Sequence, residues 1–77
     1  MTYKEFMRWC NERAADGCWG FITAKMCIEV IGIMQKTPFW LREKKWREYE
    51  QYVVENFVNP TNEKIREVFG NGGAEDA

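Results

Sequence analysis

The chain contains no histidine, and it has only two prolines and three cysteines. Histidine is the side chain that changes charge near neutral pH and the commonest metal ligand, so its absence removes the usual general base. The cysteines, Cys10, Cys18 and Cys27, form no C-x-x-C pair, whereas structural zinc ordinarily takes four Cys or His ligands. An odd number of separated cysteines is typical of free thiols in a reducing compartment. We therefore predict no metal site, no cofactor and no catalytic residue.

Features of membrane-bound and exported proteins are also missing. No apolar run approaches the roughly 18 residues that a membrane helix needs. No charged start is followed by an apolar stretch and a small-residue cleavage site. The formal net charge is −1, which is not that of a generally basic nucleic-acid binder. These absences predict a cytoplasmic protein without a membrane partner.

Aromatic side chains are what the chain has in abundance, since they make up 16% of its 77 residues. A chain this short buries only about 60% of its unfolded surface, so it needs a core of large side chains or a partner subunit. Aromatic residues supply the largest buried area per residue. We predict a single domain at residues 1–70, with homo-oligomerisation as a further source of buried surface. The Gly-rich residues 71–77 predict a disordered tail.

Apolar spacing and capping signals predict an all-α fold, a compact bundle of three to four helices. Thr2 and Glu5 form the T-x-x-E pattern of a capping box. Thr23 is the predicted N-cap of the second helix. The expected helices cover about residues 3–16, 23–36, 38–58 and 61–69.

The third helix is predicted to be long, because no Gly or Pro interrupts it. Thr37 and Pro38 have the residue types of an N-cap and a first helical position. Asn59 and Pro60 should end it, since the residue before a proline is disfavoured in the α region. Its predicted core stripe consists of Phe39, Trp46, Tyr49, Val53 and Phe57.

The second helix is apolar on almost every side, which is typical of a helix surrounded by others. Gly32 lies on its narrow polar strip and would let another backbone approach closely. The residues expected to be mostly buried in this central helix are Met26, Ile28, Val30, Ile31, Ile33 and Met34.

The connector Gly17-Cys18-Trp19-Gly20 has two interpretations. Trp19 either plugs a corner of the core, as aromatic residues in small domains do, or contacts a ligand. Cys18 is the one cysteine outside an apolar helical face, and it is the one whose reactivity merits a test.

The charges of the long helix run against its dipole, which favours acids at the N-terminus and bases at the C-terminus. Acidic residues fill its second half, and its first half is crowded by Lys36, Arg42, Lys44, Lys45 and Arg47. A charge pattern that lowers the stability of its own helix by a small amount often marks a functional site.

One face of this helix, opposite the core stripe, carries Trp40, Lys44, Arg47 and Gln51. An exposed Trp among cations can stack on a base or an aromatic side chain while the cations pair with phosphate or carboxylate. The predicted binding residues are Trp40, Lys44 and Arg47, with Lys45 and Trp46 near the edge of the surface.

Two other interpretations of the same face remain open. It is a solvated surface if Glu43 pairs with Arg47 and Lys44 pairs with Glu48, as i,i+4 neighbours do. Trp40 could instead lie under the last helix or at a subunit interface.

The segments EFMRWCNERAADGCWG, TAKMCIEVI and PFWLREKKWREYE resemble short proteins encoded by phages and prophages of gut Firmicutes. The resemblance covers about residues 1–58. It implies an accessory phage protein made in the cytoplasm of an infected bacterium. Many phage proteins of this size are counter-defence factors, including anti-CRISPR inhibitors, which act by stoichiometric contact and not by catalysis.

The expected partner is therefore a host protein or a protein–nucleic acid complex of bacterial defence. Two alternatives compete with this inhibitor. One is an oligomeric sponge that sequesters an anionic signalling nucleotide. The other is a small structural or regulatory adaptor of the phage.

Overall fold

The computed structural model describes the backbone of residues 1–70 and the side chains of residues 1–68. Within this part there is no strand, and the all-α prediction of a compact helical bundle is confirmed. The predicted tail at 71–77 lies outside the described residues. The α-helices are α1 (Tyr3–Asp16), α2 (Phe21–Gln35), α3 (Arg42–Val53) and α4 (Asn59–Ile65). A 3₁₀ turn, Phe39–Leu41, precedes α3, and π turns, Val54–Val58 and Arg66–Gly70, follow α3 and α4.

The start and end of α1 agree with the sequence signals. The Thr2 hydroxyl accepts a hydrogen bond from the Glu5 N–H at 3.1 Å, and the Glu5 carboxylate accepts from the Thr2 N–H at 2.7 Å. This reciprocal pair is the predicted capping box. Gly17 ends the helix with φ of 67°, a left-handed conformation that glycine adopts without steric cost.

The start of α2 and the role of Thr37 differ from the prediction, whereas the end of α2 at Gln35, with Lys36 as C-cap, agrees with it. The helix begins at Phe21 with Gly20 as its N-cap, and Thr23 lies inside it. At the other end, the Thr37 hydroxyl donates to the Ile33 carbonyl oxygen at 2.9 Å. Thr37 therefore closes the last turn of α2 instead of opening the next helix.

The predicted break at Asn59-Pro60 is absent. Asn59 has helical angles, φ −63° and ψ −46°, and its N–H bonds the carbonyl of Val54, five residues earlier. A proline inside a helix lacks the N–H and crowds the carbonyl four residues back. The wide π turn before Pro60 leaves room for the ring, so α3 and α4 form one segmented helix.

The π turn also changes which residues face the core. Val53 and Val58 are both buried, whereas Phe57 is only half-buried. A π turn holds one residue more than an α turn, so the apolar phase moves by one position after it. At the other end of the predicted stripe, Phe39 was also misplaced, because it is 73% exposed.

The core lies where α1 and α2 pack against α3. Phe6 of α1 and Trp46 of α3 meet there, and their rings stack with centroids 4.6 Å apart. The buried apolar side chains are Phe6, Trp9, Cys10, Cys27, Val30, Met34, Trp46, Val53 and Val58.

α2 is not the surrounded central helix that the sequence predicted. Of the six side chains expected inside, Val30 and Met34 are buried and three are half-buried, but Ile28 is 66% exposed. A helix that packs mainly against α1 and α3 keeps part of its circumference in solvent, whatever its composition.

Contacts between the helices fix their order as up-down-up. Near its start, α1 meets α3, where the Tyr3 N–H donates to the Glu43 carboxylate at 3.1 Å. Further along, the Trp9 indole donates to Asn62 of α4 at 2.8 Å, so α1 and the segmented helix run in the same direction. α2 returns between them, because its C-terminal carbonyls lie beside Arg42 at the start of α3.

Candidate contact surface

The structure separates the five predicted binding residues into two groups. Trp40 is 71% exposed, Lys44 and Arg47 are exposed, and Lys45 is half-buried. Trp46 is fully buried, stacks in the core, and donates its indole N–H to the Met1 carbonyl oxygen at 2.8 Å. Its assignment to the edge of the surface was therefore wrong, because it cannot reach a partner while the bundle is folded.

Trp40 belongs to an apolar corner between α2 and α3. Phe39, Trp40 and Leu41 are consecutive and all exposed, and we refer to them as the exposed corner. The rings of Phe39 and Trp40 meet edge to face with centroids 5.4 Å apart. This geometry is favourable for aromatic pairs, so the two side chains present a defined apolar projection.

The corner follows from the local backbone. Pro38 has φ −53° and ψ 140°, which directs the chain away from the end of α2. The Leu41 N–H then bonds the Pro38 carbonyl at 2.8 Å and closes a tight 3₁₀ turn before α3 starts. Three successive residues of a helical turn spread over more than half of its circumference, so they cannot all face the core.

Sequence reasoning missed Phe39 and Leu41 as members of this surface. Phe39 was assigned to the core because it fitted the spacing of an ideal α-helix from residue 38 onward. The signal that could have identified the corner is the run Phe39-Trp40-Leu41 directly after Pro38.

The cations near the corner have different roles. Arg42 is half-buried, and its Nε donates to the carbonyl oxygens of Met34 at 2.9 Å and Thr37 at 3.2 Å. It thus provides the Thr37 carbonyl with a donor and the Met34 carbonyl with a second donor beside the Thr37 N–H, at a helix end where a positive charge also suits the dipole. Arg42 is a structural cap, and its position at the start of α3 follows from this contact.

Lys45 is also engaged, but Lys44 and Arg47 are not. Lys45 lies 3.4 Å from the Glu48 carboxylate and 5.9 Å from the centre of the Tyr49 ring. The expected i,i+4 pairs of Lys44 and Arg47 do not form, and neither residue has an ion pair within the described part of the chain. Their charges are therefore available to a partner.

A cleft of about 360 Å³ opens beside the corner, between the end of α2 and the start of α3. Lysine and apolar side chains line it, together with the single carboxylate of Glu48, which pairs with Lys45. Its lining consists of Lys36, Thr37, Pro38, Leu41, Lys44, Lys45 and Glu48. Three ammonium groups around one opening make it suited to an anionic group.

The two other tryptophans pack in or against the core. Trp9 is buried, stacks on Phe6 and is covered by the Arg13 guanidinium at 5.7 Å. Trp19 is half-buried and meets Trp9 edge to face at 6.2 Å. Trp19 therefore packs over the core at the corner between α1 and α2, which is the first of its two interpretations.

No thiol in residues 1–68 is an activated nucleophile that a substrate could reach. A hydrogen bond from Cys10 lowers the pKa of Cys27, but the Cys27 side chain is fully buried. Cys10 and Cys27 are buried, and the hydrogen bond that the Cys10 thiol donates to Cys27, together with burial, raises the pKa of Cys10. Burial raises the pKa of Cys18 as well, and Asp16 adds to the effect. Since the thiolate is the reactive form, Cys18 is a weak nucleophile at neutral pH.

No helix in residues 1–70 is both long enough and apolar enough to cross a bilayer. Comparison with protein-family models, with characterised proteins and with solved structures gives no match. The function must therefore be argued from the surface of this molecule.

Proposed function

We propose that this is a non-enzymatic binding protein that docks its exposed corner, together with Lys44 and Arg47, onto an acidic surface. The observation that carries the proposal is the solvent exposure of three consecutive large apolar side chains beside two unpaired cations. Scattered single apolar residues are normal on protein surfaces, but a contiguous apolar group commonly marks an interaction site.

The composition of this surface fits the energetics of protein interfaces. Trp and Arg are among the residue types that most often dominate binding energy. Full burial of each large apolar side chain contributes about 2–3 kcal/mol before the costs of association are subtracted. Trp40 and Phe39 already pack against each other, so little side-chain freedom remains to be lost on binding.

The cations favour an acidic partner such as a protein–nucleic acid complex. Lys44 and Arg47 would steer encounter and pair with phosphate or carboxylate groups at the rim of the contact. Such steering weakens when salt shortens the Debye length to about 10 Å or less. Association with the partner should therefore slow as ionic strength rises.

The resemblance to small phage and prophage proteins supports the finer part of the proposal. In that setting, the protein would act in the bacterial cytoplasm by occupying a nucleic-acid-handling defence complex, in the manner of an anti-CRISPR inhibitor. Stoichiometric blocking requires a contact surface but no catalytic group, which agrees with a chain that contains no histidine.

The lysine-lined cleft favours a second candidate, a sponge for an anionic signalling nucleotide. Lys36, Lys44 and Lys45 could hold its phosphates, and Leu41 would contact an apolar part of it. The cleft is open, so retention of a nucleotide would require a second copy to cover it. Protein purified without denaturation would then carry ultraviolet-absorbing ligand, whereas the inhibitor would be free of it.

The test of the contact surface is the double variant Trp40→Ala/Arg47→Glu. We expect its Tm to stay close to that of the wild type, because both side chains are exposed. Loss of a central aromatic anchor costs about 2 kcal/mol or more, so binding should weaken by at least about 30-fold. The matched control is Tyr52→Ala/Arg66→Glu, which removes another exposed aromatic and another exposed arginine.

Pull-down from bacterial lysate would use all three proteins as bait. A nucleic-acid-handling complex captured by the wild type and the control, but lost with Trp40→Ala/Arg47→Glu, supports the proposal. Unchanged capture by the double variant would refute the corner as the contact surface. Recovery of only virion or replication proteins would favour the phage adaptor.

A further inference from the structure

A second exposed apolar surface lies on α2, apart from the corner and not used by the proposed function. Phe21 is 83% exposed, Ile22 is 72% exposed and Ile28 is the third exposed apolar side chain of this helix. The exposure of three large apolar side chains on one helix is not explained by packing within the monomer. Lys25 and Glu29 are exposed on the same side.

Gly32 marks the same face. A Cβ atom placed on Gly32 would meet nothing within 4 Å, so neither fold nor close packing within one copy requires a glycine there. An alanine would fit and would favour the helix more than glycine does. The gap at Gly32 therefore provides room for a side chain from outside the molecule.

The spacing of these residues is that of a helix–helix seam. Residues separated by alternating steps of four and three align along one side of a helix, as the a and d positions of a coiled coil do. On α2 this exposed seam consists of Phe21, Lys25, Ile28, Gly32 and Gln35.

We propose that this seam pairs with the α2 seam of a second copy of the chain, in an antiparallel two-fold dimer. The argument is self-complementarity, which an isologous interface requires. In the proposed register, Phe21 of one copy lies over Gly32 of the other. The same register places Lys25 opposite Ile28, and the two-fold axis repeats both contacts.

The charges agree with this register. Lys25 of one copy then lies within one residue of the level of Glu29 of the other, a displacement of about 1.5 Å along the axis. Within residues 1–68, neither Lys25 nor Glu29 makes an ion pair in its own chain. The dimer thus gains two ion pairs while it buries the apolar residues on either side of them.

The first experiment measures self-association of the whole chain by sedimentation velocity over a range of concentrations. The wild type should show a concentration-dependent shift from monomer to dimer, and a monomer at every concentration would overturn the proposal. Trp40→Ala/Arg47→Glu should dimerise like the wild type, so this result is independent of the contact surface proposed above.

The variant Gly32→Ala distinguishes an effect on the dimer interface from an effect on the fold of the monomer. The added methyl group should raise the Tm of the monomer, because it favours the helix and meets no neighbour. It should also fill the gap that receives Phe21 and weaken the dimer by about tenfold or more in Kd. Unchanged dimerisation in this variant would show that Gly32 is outside the interface.

A charge swap tests the register. Lys25→Glu and Glu29→Lys should each weaken the dimer by about tenfold, because each places like charges opposite one another. The double variant Lys25→Glu/Glu29→Lys should restore dimerisation, and Lys4→Glu on α1 is the control for the change in net charge. Failure of the double variant to restore dimerisation would refute the antiparallel register.

Discussion

The four tryptophans of the chain show how one side chain takes different roles at the residue scale. Trp9 and Trp46 are buried, and the indole N–H of each has an acceptor, Asn62 for Trp9 and the Met1 carbonyl for Trp46. A buried indole needs such a partner, because an unpaired buried donor costs free energy. Trp40 lies in solvent and needs none, which leaves its full surface for binding.

Thiol reactivity gives a prediction at this scale. In the native protein, only Cys18 should react with an alkylating agent, and slowly, whereas all three thiols should react after unfolding. Because burial raises the pKa of Cys18, its rate should still be increasing as pH passes the ordinary thiol value of 9.0. Stopped labelling followed by mass measurement counts the modified thiols, and Cys18→Ser is the control. Rapid native labelling at neutral pH would contradict the prediction.

Sequence reasoning predicted correctly whether some side chains are buried or exposed, and it was wrong for others. Helical periodicity placed Cys10 and Cys27 inside and Trp40 outside, because those positions depend only on local phase. It placed Trp46 both on the core stripe and at the edge of the binding surface, and only the first position is compatible with the structure. The exposure of Phe39 could not be derived from an ideal helix, since it depends on the turn after Pro38.

At the scale of the elements, the reversed charges of the long helix are explained in part by the other helices. Arg42 binds carbonyls at the C-terminal end of α2, and Glu43 accepts from the N–H of Tyr3 at the start of α1. Each charge suits the dipole of the helix end that it contacts. Sequence patterns within one helix cannot show this, because the compensating dipole belongs to a different element.

Arg42→Ala should therefore destabilise the protein. It removes the donor of the Thr37 carbonyl and the charged second donor of the Met34 carbonyl, which keeps its bond from the Thr37 N–H, and this loss costs about 1–3 kcal/mol. The free energy of unfolding from urea titration is the measurement. Lys44→Ala, two residues later and exposed, should change it by less than about 0.5 kcal/mol. Equal effects of the two variants would show that Arg42 is not a cap.

The π turn before Pro60 explains the remaining error in the helix boundaries. Local rules state correctly that proline disfavours a preceding helical residue. They do not state that a helix can widen by one residue and continue, as it does at Val54–Val58. The same widening moved Val58 into the core in place of Phe57.

At the scale of the whole molecule, the two proposed surfaces share no residue. The exposed corner follows the C-terminal end of α2, and the α2 seam extends from Phe21, the first residue of that helix, to Gln35, the last. Mutations should therefore affect partner binding and self-association separately. Which helices pack against one another was not predictable from the sequence, because it depends on contacts between distant residues such as Trp9 and Asn62.

The contact between Trp9 and Asn62 joins residues at opposite ends of the chain. Asn62→Ala should leave the Trp9 indole N–H without its acceptor and lower the free energy of unfolding by about 1–3 kcal/mol. Asn11→Ala, an exposed change on α1, should have little effect, and thermal or urea unfolding would measure both. A neutral Asn62→Ala variant would show that α4 is held to α1 by apolar packing alone.

Because the four indoles differ in exposure, tryptophan fluorescence can report binding to the protein without an added label. Trp40 is the most exposed of them, so its fluorescence should emit at the longest wavelength and be the most readily quenched by iodide, which the neighbouring lysines attract. The α2 seam contains no tryptophan. Protection from iodide would therefore report occupation of the corner, and dimerisation through α2 would leave that emission unchanged.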